Sequence, residues 1–190
     1  MRLPLRSLLA LVLLSAAPAL FAQDLITNGD FTGGIGGWAY STTGSGVAQY
    51  ESFLGSPGGG SLRLQVYGIG SAHAEQCVDV SQLVAIDATV RKFKNAEAGN
   101  GTHTFKLVPF DAPLCAGTAL EPILLPEDGD NLGGWIRISV SGAPLPAGAL
   151  SALLSFDATS PDAGSVSYYL MDHAAAGGLN GVFKDGFESN

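Results

Sequence analysis

A period of two runs through most of this chain and restricts what it can fold into. Over residues 61–67, Leu62, Leu64 and Val66 alternate with Arg63, Gln65 and Tyr67. That spacing gives a strand one apolar and one polar face. Residues 72–80 repeat it, with Ala74, Gln76, Val78 and Val80 on one side and His73, Glu75, Cys77 and Asp79 on the other. Residues 84–94 align Val84, Ile86, Ala88 and Val90; 135–142 align Ile136, Ile138 and Val140; 150–157 align Leu150, Ala152, Leu154 and Phe156. Residues 102–110 and 165–173 read as further strands. Residues 39–42 and 47–52 read as two short ones parted by Thr43-Gly44-Ser45-Gly46. Pro122 reduces residues 118–125 to an edge strand or a loop. Clusters of Gly, Pro and Asn separate the runs, residues 174–181 read as a small flexible segment, and no stretch shows a long amphipathic helix period. Short strands at such intervals predict an all-β sandwich or barrel.

The first 22 residues break the pattern. Arg2 and Arg6 precede an apolar run over residues 8–17, and Ala19-Leu20-Phe21-Ala22 offers a small-x-small cleavage site. This reads as an export signal. The run is shorter than the roughly 20 residues a spanning helix needs, so no membrane span is expected in the mature chain. Without Arg2 and Arg6, seven of the 9 basic residues face 17 acidic ones, and 7 − 17 = −10. Such a chain repels phosphate backbones, which argues against nucleic acid. Acidic polysaccharides and anionic membranes are disfavoured by the same sign of charge, leaving a neutral ligand or one bridged by a cation. Cys77 and Cys115 are the only cysteines, and in an exported chain they are expected to form one disulfide. About 168 residues remain after the signal, enough for one domain with its own core.

Residues 25–38 read Leu-Ile-Thr-Asn-Gly-Asp-Phe-Thr-Gly-Gly-Ile-Gly-Gly-Trp. Asn28-Gly29 is a turn signal, because both residue types tolerate a left-handed backbone. Later the chain carries a strand opening on Trp135, a Pro146-Ala147-Gly148 turn, the apolar strand 150–156, and Tyr168-Tyr169-Leu170-Met171-Asp172. In order and spacing this resembles CenC-type carbohydrate-binding modules, which are galactose-binding-like jelly rolls. The resemblance covers residues 25–176. It implies a jelly-roll β-sandwich of antiparallel strands over residues 23–176 and a tail over residues 177–190. That tail carries Phe183-Lys184-Asp185-Gly186-Phe187-Glu188, similar to short C-terminal segments of some exported bacterial proteins.

A sugar site needs flat apolar surface for pyranose C–H groups and polar side chains for hydroxyls, and aromatic rings supply the first. The candidates are Trp38, Tyr40 and Tyr67, with Arg63 and Gln65 as polar neighbours of Tyr67. Tyr50, Trp135 and Tyr169 are further aromatics, and Trp135 reads as core. The resemblance also implies a structural calcium where the first and last strands meet, with Asp30 and Asp172 as ligands. Calcium takes six to eight oxygens. Thr32 and His173 stand where such modules commonly carry acidic residues. The acidic loop 127–131 lacks the spacing of an EF-hand and reads as solvated. There is no Gly-x-Ser-x-Gly and no His-Glu-x-x-His, and His73, His103 and His173 show no ligand spacing. Glu75 and Asp79 share a strand face, as two carboxylates of a hydrolase would, but also as ordinary solvated groups do. The expected function is therefore non-catalytic binding of a neutral polysaccharide by a secreted protein. The competing expectation is an extracellular or cell-surface interaction protein on the same fold.

Overall fold

A computed structural model describes residues 24–56, 59–94, 101–126 and 133–178. The export signal, the acidic loop 127–131 and the motif-bearing tail lie outside the described residues. The strands are β1 (Ala39–Glu51), β2 (Ser61–Asp79), β3 (Ala85–Lys94), β4 (Thr102–Phe110), β5 (Ile123–Leu124), β6 (Trp135–Pro144), β7 (Ser151–Ser160) and β8 (Val166–Gly178). One 3-10 turn, Pro113–Cys115, interrupts them.

All pairings are antiparallel, in the order β5-β4-β7-β2-β8-β3-β6, with β1 on the other edge of β2. The first half of β2 pairs with β8 (Leu62 opposite Met171), and the second half pairs with β7 (Ala74 opposite Phe156). β1 accompanies β2 throughout, with a register shift between Gly44 and Gly46. The ladder therefore bends at Gly44–Gly46 and Gly68–Gly70 and folds over on itself, as strands do when they pass between two layers. The first layer is β1-β2-β8-β3-β6 and the second is β1-β2-β7-β4-β5. At the bend Gly44 has φ +55°, and a Cβ there would lie 2.2 Å from the Ile69 carbonyl oxygen.

The inward residues are those the alternation assigns. Leu62, Leu64, Val66, Val90, Ile138, Tyr169 and Met171 from one layer meet Ala72, Ala74, Phe105, Leu107, Leu154, Phe156 and Ala158 from the other. The layers touch where Tyr169 lies 4.2 Å, ring to ring, from His103. Lys92 is also buried between them, with Nζ 2.6 Å from His103 Nε2 and 5.8 Å from the Phe105 ring centre. Cys77 and Cys115 form the expected disulfide, tying β2 to the 3-10 turn.

Several elements differ from expectation. The two short strands over 39–52 are one strand, and the runs at 61–67 and 72–80 are one strand of 19 residues. Their glycines bend a continuous ladder instead of ending it. Val84 (76% exposed) and Leu150 (37% exposed) are in phase with the core but lie just before β3 and β7, where the ladder no longer holds them inward. The segment after His173 is strand to Gly178, because Asp87–Thr89 and the N-terminal segment pair with it.

Candidate functional site

The N-terminal segment is fixed by its own turn. Asn28 adopts φ 53° and donates from Nδ2 to the carbonyls of Gly34 and Gly36. Its carbonyl accepts the indole N–H of Trp38 at 3.2 Å. Gln76 closes the same loop, accepting from Thr27 N–H at 2.6 Å and donating to the Thr27 and Gly37 carbonyls. Trp38 thereby enters the core. It is 5% exposed, stacked at 5.2 Å on Phe156 and 5.3 Å from Phe31. A ring held on both sides has no face for a sugar, so the expectation for Trp38 as a binding platform is corrected. Tyr40 is 58% exposed but stands opposite Ala74, in the second-layer half of β1, beyond the bend from Tyr67.

The other three candidates share the outer face of the first layer. Gln49, Arg63, Leu170, Phe93 and Trp135 stand opposite one another in register across β1, β2, β8, β3 and β6. Four strand spacings make this row about 19 Å long. Gln65 pairs with Tyr168 in the adjacent row, and Tyr67, half exposed, pairs with Val166 in the next. Phe93 and Trp135 are 5.7 Å apart, ring to ring. The Arg63 guanidinium lies 5.9 Å from the Tyr168 ring centre and 3.2 Å from Glu51 Oε2. Gln65 is on the expected face but only 5% exposed. Arg63 Nε and Ser61 Oγ are buried on this face without a partner among the described residues, an arrangement that costs free energy in a folded protein. Sequence reasoning missed Tyr168 and Phe93 here and read Trp135 as core, whereas it is partly exposed. Phe93 lies out of phase with Ile86, Ala88 and Val90, and that was the available signal.

Asp172 closes one end of the face, opposite Arg91. Its carboxylate is fully buried, accepting the Ser56 N–H on Oδ2 at 2.6 Å and the His173 N–H on Oδ1 at 2.8 Å. Burial pushes its pKa up; the two N–H groups and His173 pull it down without cancelling the rise, and Asp30 adds to it. Asp30 is exposed and holds Thr32, whose hydroxyl keeps the Asp30 carboxyl below its usual range despite an opposing desolvation. Asp30 lines a shallow cavity of about 310 Å³ with Asp24, Asn28 and His173, and Asp172 does not. Both oxygens of each carboxylate already accept protein donors. Among the described residues no three His, Cys, Asp or Glu side chains gather as a metal-binding group. Asp30 and Asp172 thus do not line one cavity together, and a calcium with its six to eight oxygens would need further donors beside Asp30.

The second layer carries a charged network on its outer face. His73 Nδ1 lies 2.7 Å from Asp157, His73 Nε2 lies 2.7 Å from Glu75, and Lys106 lies 3.2 Å from Asp157. The Asp157 hydrogen bond raises the His73 pKa, desolvation opposes it, and Glu75 assists. Burial pulls Asp157 upward, but His73 and Lys106 outweigh it and hold the carboxyl low. Glu75 is thus committed to a histidine, while Asp79 is exposed and caps the Ser81 N–H.

No family model matches the sequence, and no curated protein matches it. Solved structures do share its fold. The chain is similar to the enzymatically active domain of bacteriophage CBA120 tailspike protein 4 (TM-score 0.59, 16% identity, 81% of this chain and 21% of that one). It therefore spans about a fifth of that protein. It is similar over 84% of its length, and 99% of the other chain, to the C-terminal family 22 carbohydrate-binding module of Clostridium thermocellum Xyn10B (TM-score 0.60, 16% identity). It is also similar to TmCBM61, solved in complex with β-1,4-galactotriose (TM-score 0.52, 13% identity, 81% of this chain and 97% of that one). Among the described residues no helix is long and apolar enough to cross a membrane. The chain is an all-β, disulfide-bonded sandwich with the jelly-roll fold found in carbohydrate-binding modules.

Proposed function

We propose that this protein is a secreted, non-catalytic module that binds a neutral glycan along the outer face of the β1-β2-β8-β3-β6 layer. The observation that carries this reading is the register row in which Arg63 on one side and Phe93 and Trp135 on the other flank the buried Leu170, with Tyr168 and Tyr67 in the adjacent rows. It combines apolar ring surface for sugar C–H groups with a guanidinium and phenols for hydroxyls. From Arg63 to Trp135 the row spans three strand spacings, about 14 Å, which suits a few sugar units lying across the strands. The net charge of the mature chain favours a ligand without acidic groups. The disulfide suits an oxidising compartment. Neighbours of the same fold include a xylan-binding domain and a module solved with β-1,4-galactotriose, so those glycans are the first to try.

The burial of Trp38 and Gln65 favours the competing reading, an extracellular interaction protein on the same fold, because it removes two of five sequence candidates from solvent. Affinity electrophoresis of residues 23–190 through gels holding soluble xylan or β-1,4-galactan separates the two. A glycan binder is retarded by one of them, equally with calcium and with chelator. Trp135→Ala or Tyr168→Ala lowers its affinity about tenfold while the protein stays folded, the size expected when a stacked ring of roughly 1.5 kcal/mol is lost. If the folded, oxidised protein migrates unretarded through every glycan, the interaction-protein reading replaces this one.

A further inference from the structure

One end of the outer face is closed to solvent where the chain leaves β1. Ser61 and Asp172 belong to that face, yet both are 0% exposed, whereas Tyr67 on the same face is 53% exposed. Residues 52–56 leave β1 there and are tied to this face at both ends. They are held at the start by Glu51, whose Oε1 accepts the Phe53 N–H at 3.4 Å while Oε2 holds Arg63. They are held at the end by Ser56, which gives its N–H to Asp172 and accepts on its hydroxyl oxygen from the Arg91 guanidinium. Every anchor is a side chain of the outer face, so residues 52–56 form a wall along the Glu51–Ser61 and Asp172–Arg91 positions. The row of Arg63, Leu170, Phe93 and Trp135 runs beside that wall. Phe53 stands on it, 90% exposed, with Leu54 beside it at 45%.

An almost fully exposed phenylalanine on an anchored wall does not contribute to the core. We infer that Phe53 is a binding residue for one further sugar unit, stacking its ring on a pyranose that leaves the floor of the face at the β1–β2 end. The inference rests on the glycan reading and extends it: the ligand is a chain long enough to climb from the Phe93–Trp135 floor onto the wall, not a mono- or disaccharide. The wall is tied to the face at both ends, so the ring is presented with less ordering cost on binding than a ring on an unanchored loop would be. The sugar C–H groups gain the apolar face that the polar neighbours Glu51 and Arg63 cannot give.

The test uses residues 23–190 and two ladders of oligosaccharides of increasing length, one xylo- and one β-1,4-galacto-, with affinities measured by calorimetry. Phe53 touches nothing in the core, so Phe53→Ala should keep the wild-type melting temperature. It should bind the short members like wild type and the long members about 2- to 13-fold more weakly, the range one aromatic contact supplies. Phe53→Trp should restore or raise the long-chain affinity. Equal affinity of wild type and Phe53→Ala at every length overturns the inference and leaves the glycan reading intact. A uniform loss at every length, or a lowered melting temperature, also overturns it by showing a structural role. If wild type binds neither ladder, the glycan reading falls and the inference falls with it.

Discussion

Trp38→Ala separates a core tryptophan from a ligand platform. The wild-type ring is 5% exposed between Phe31 and Phe156, and its N–H reaches the Asn28 carbonyl. Truncating a buried Trp to Ala costs about 3–5 kcal/mol in lost contacts and residual cavity. The orphaned carbonyl adds about 1 kcal/mol. A domain of this size has roughly 5–15 kcal/mol in total, so the variant should lose a large share of its stability and a weak host would unfold outright. Trp38→Phe keeps one ring between the two phenylalanines and loses only the hydrogen bond and some volume, for about 1–2 kcal/mol. Urea unfolding followed by far-ultraviolet circular dichroism measures both, because Trp135 confounds fluorescence. The m-value should hold while the midpoint falls. Trp38→Phe should bind glycan like wild type. The reasoning fails if Trp38→Ala stays within about 1 kcal/mol of wild type, and fails doubly if that stable variant has lost glycan binding.

Replacing both cysteines with alanine should destabilise the protein by about 4 kcal/mol, the loop-entropy value for a sequence separation of 38; neither cysteine is buried, so little cavity cost is added. A urea series showing less than about 1 kcal/mol would mean that the unfolded chain is already restricted there. The His73 network predicts stability against pH with two limbs. The His73 contribution is complete below the ordinary value of 6.5 and is lost as pH rises through its raised pKa. The Asp157 contribution is complete above 3.8 and is lost as pH falls through its lowered pKa. His73→Gln should flatten the alkaline limb of a melting-temperature profile; a profile identical to wild type would show that the pairs add nothing.

Local pattern made the strands legible but not their partners. Leu62, Leu64 and Val66 point inward because alternation depends on nothing beyond the strand itself. Trp38 follows a glycine run, and whether its ring turns inward depends on Asn28 and Gln76, two groups the local pattern does not tie to it. Gln65 lies on the expected face, yet how much of it is exposed depends on what lies around it. Phe93 and Trp135 meet because β3 pairs with β6, and Tyr168 shares their face because β8 sits between β2 and β3, an order that no spacing along the chain encodes. The glycines near 44 and 70 read as turns because the residue that ends a strand and the residue that bends one are the same.

The placement of β8 also sets the order of assembly. The last strand among the described residues is the middle strand of its layer, bonded to β2 on one side and β3 on the other. Nothing local can substitute for it, so folding waits on contacts across most of the sequence and should be slow for a domain of this length. Until residue 166 and beyond have emerged, β2 and β3 each present an unsatisfied ladder edge, the kind of surface on which incomplete chains aggregate. A chain cut before β8 should therefore precipitate with its neighbours instead of persisting as a smaller folded domain.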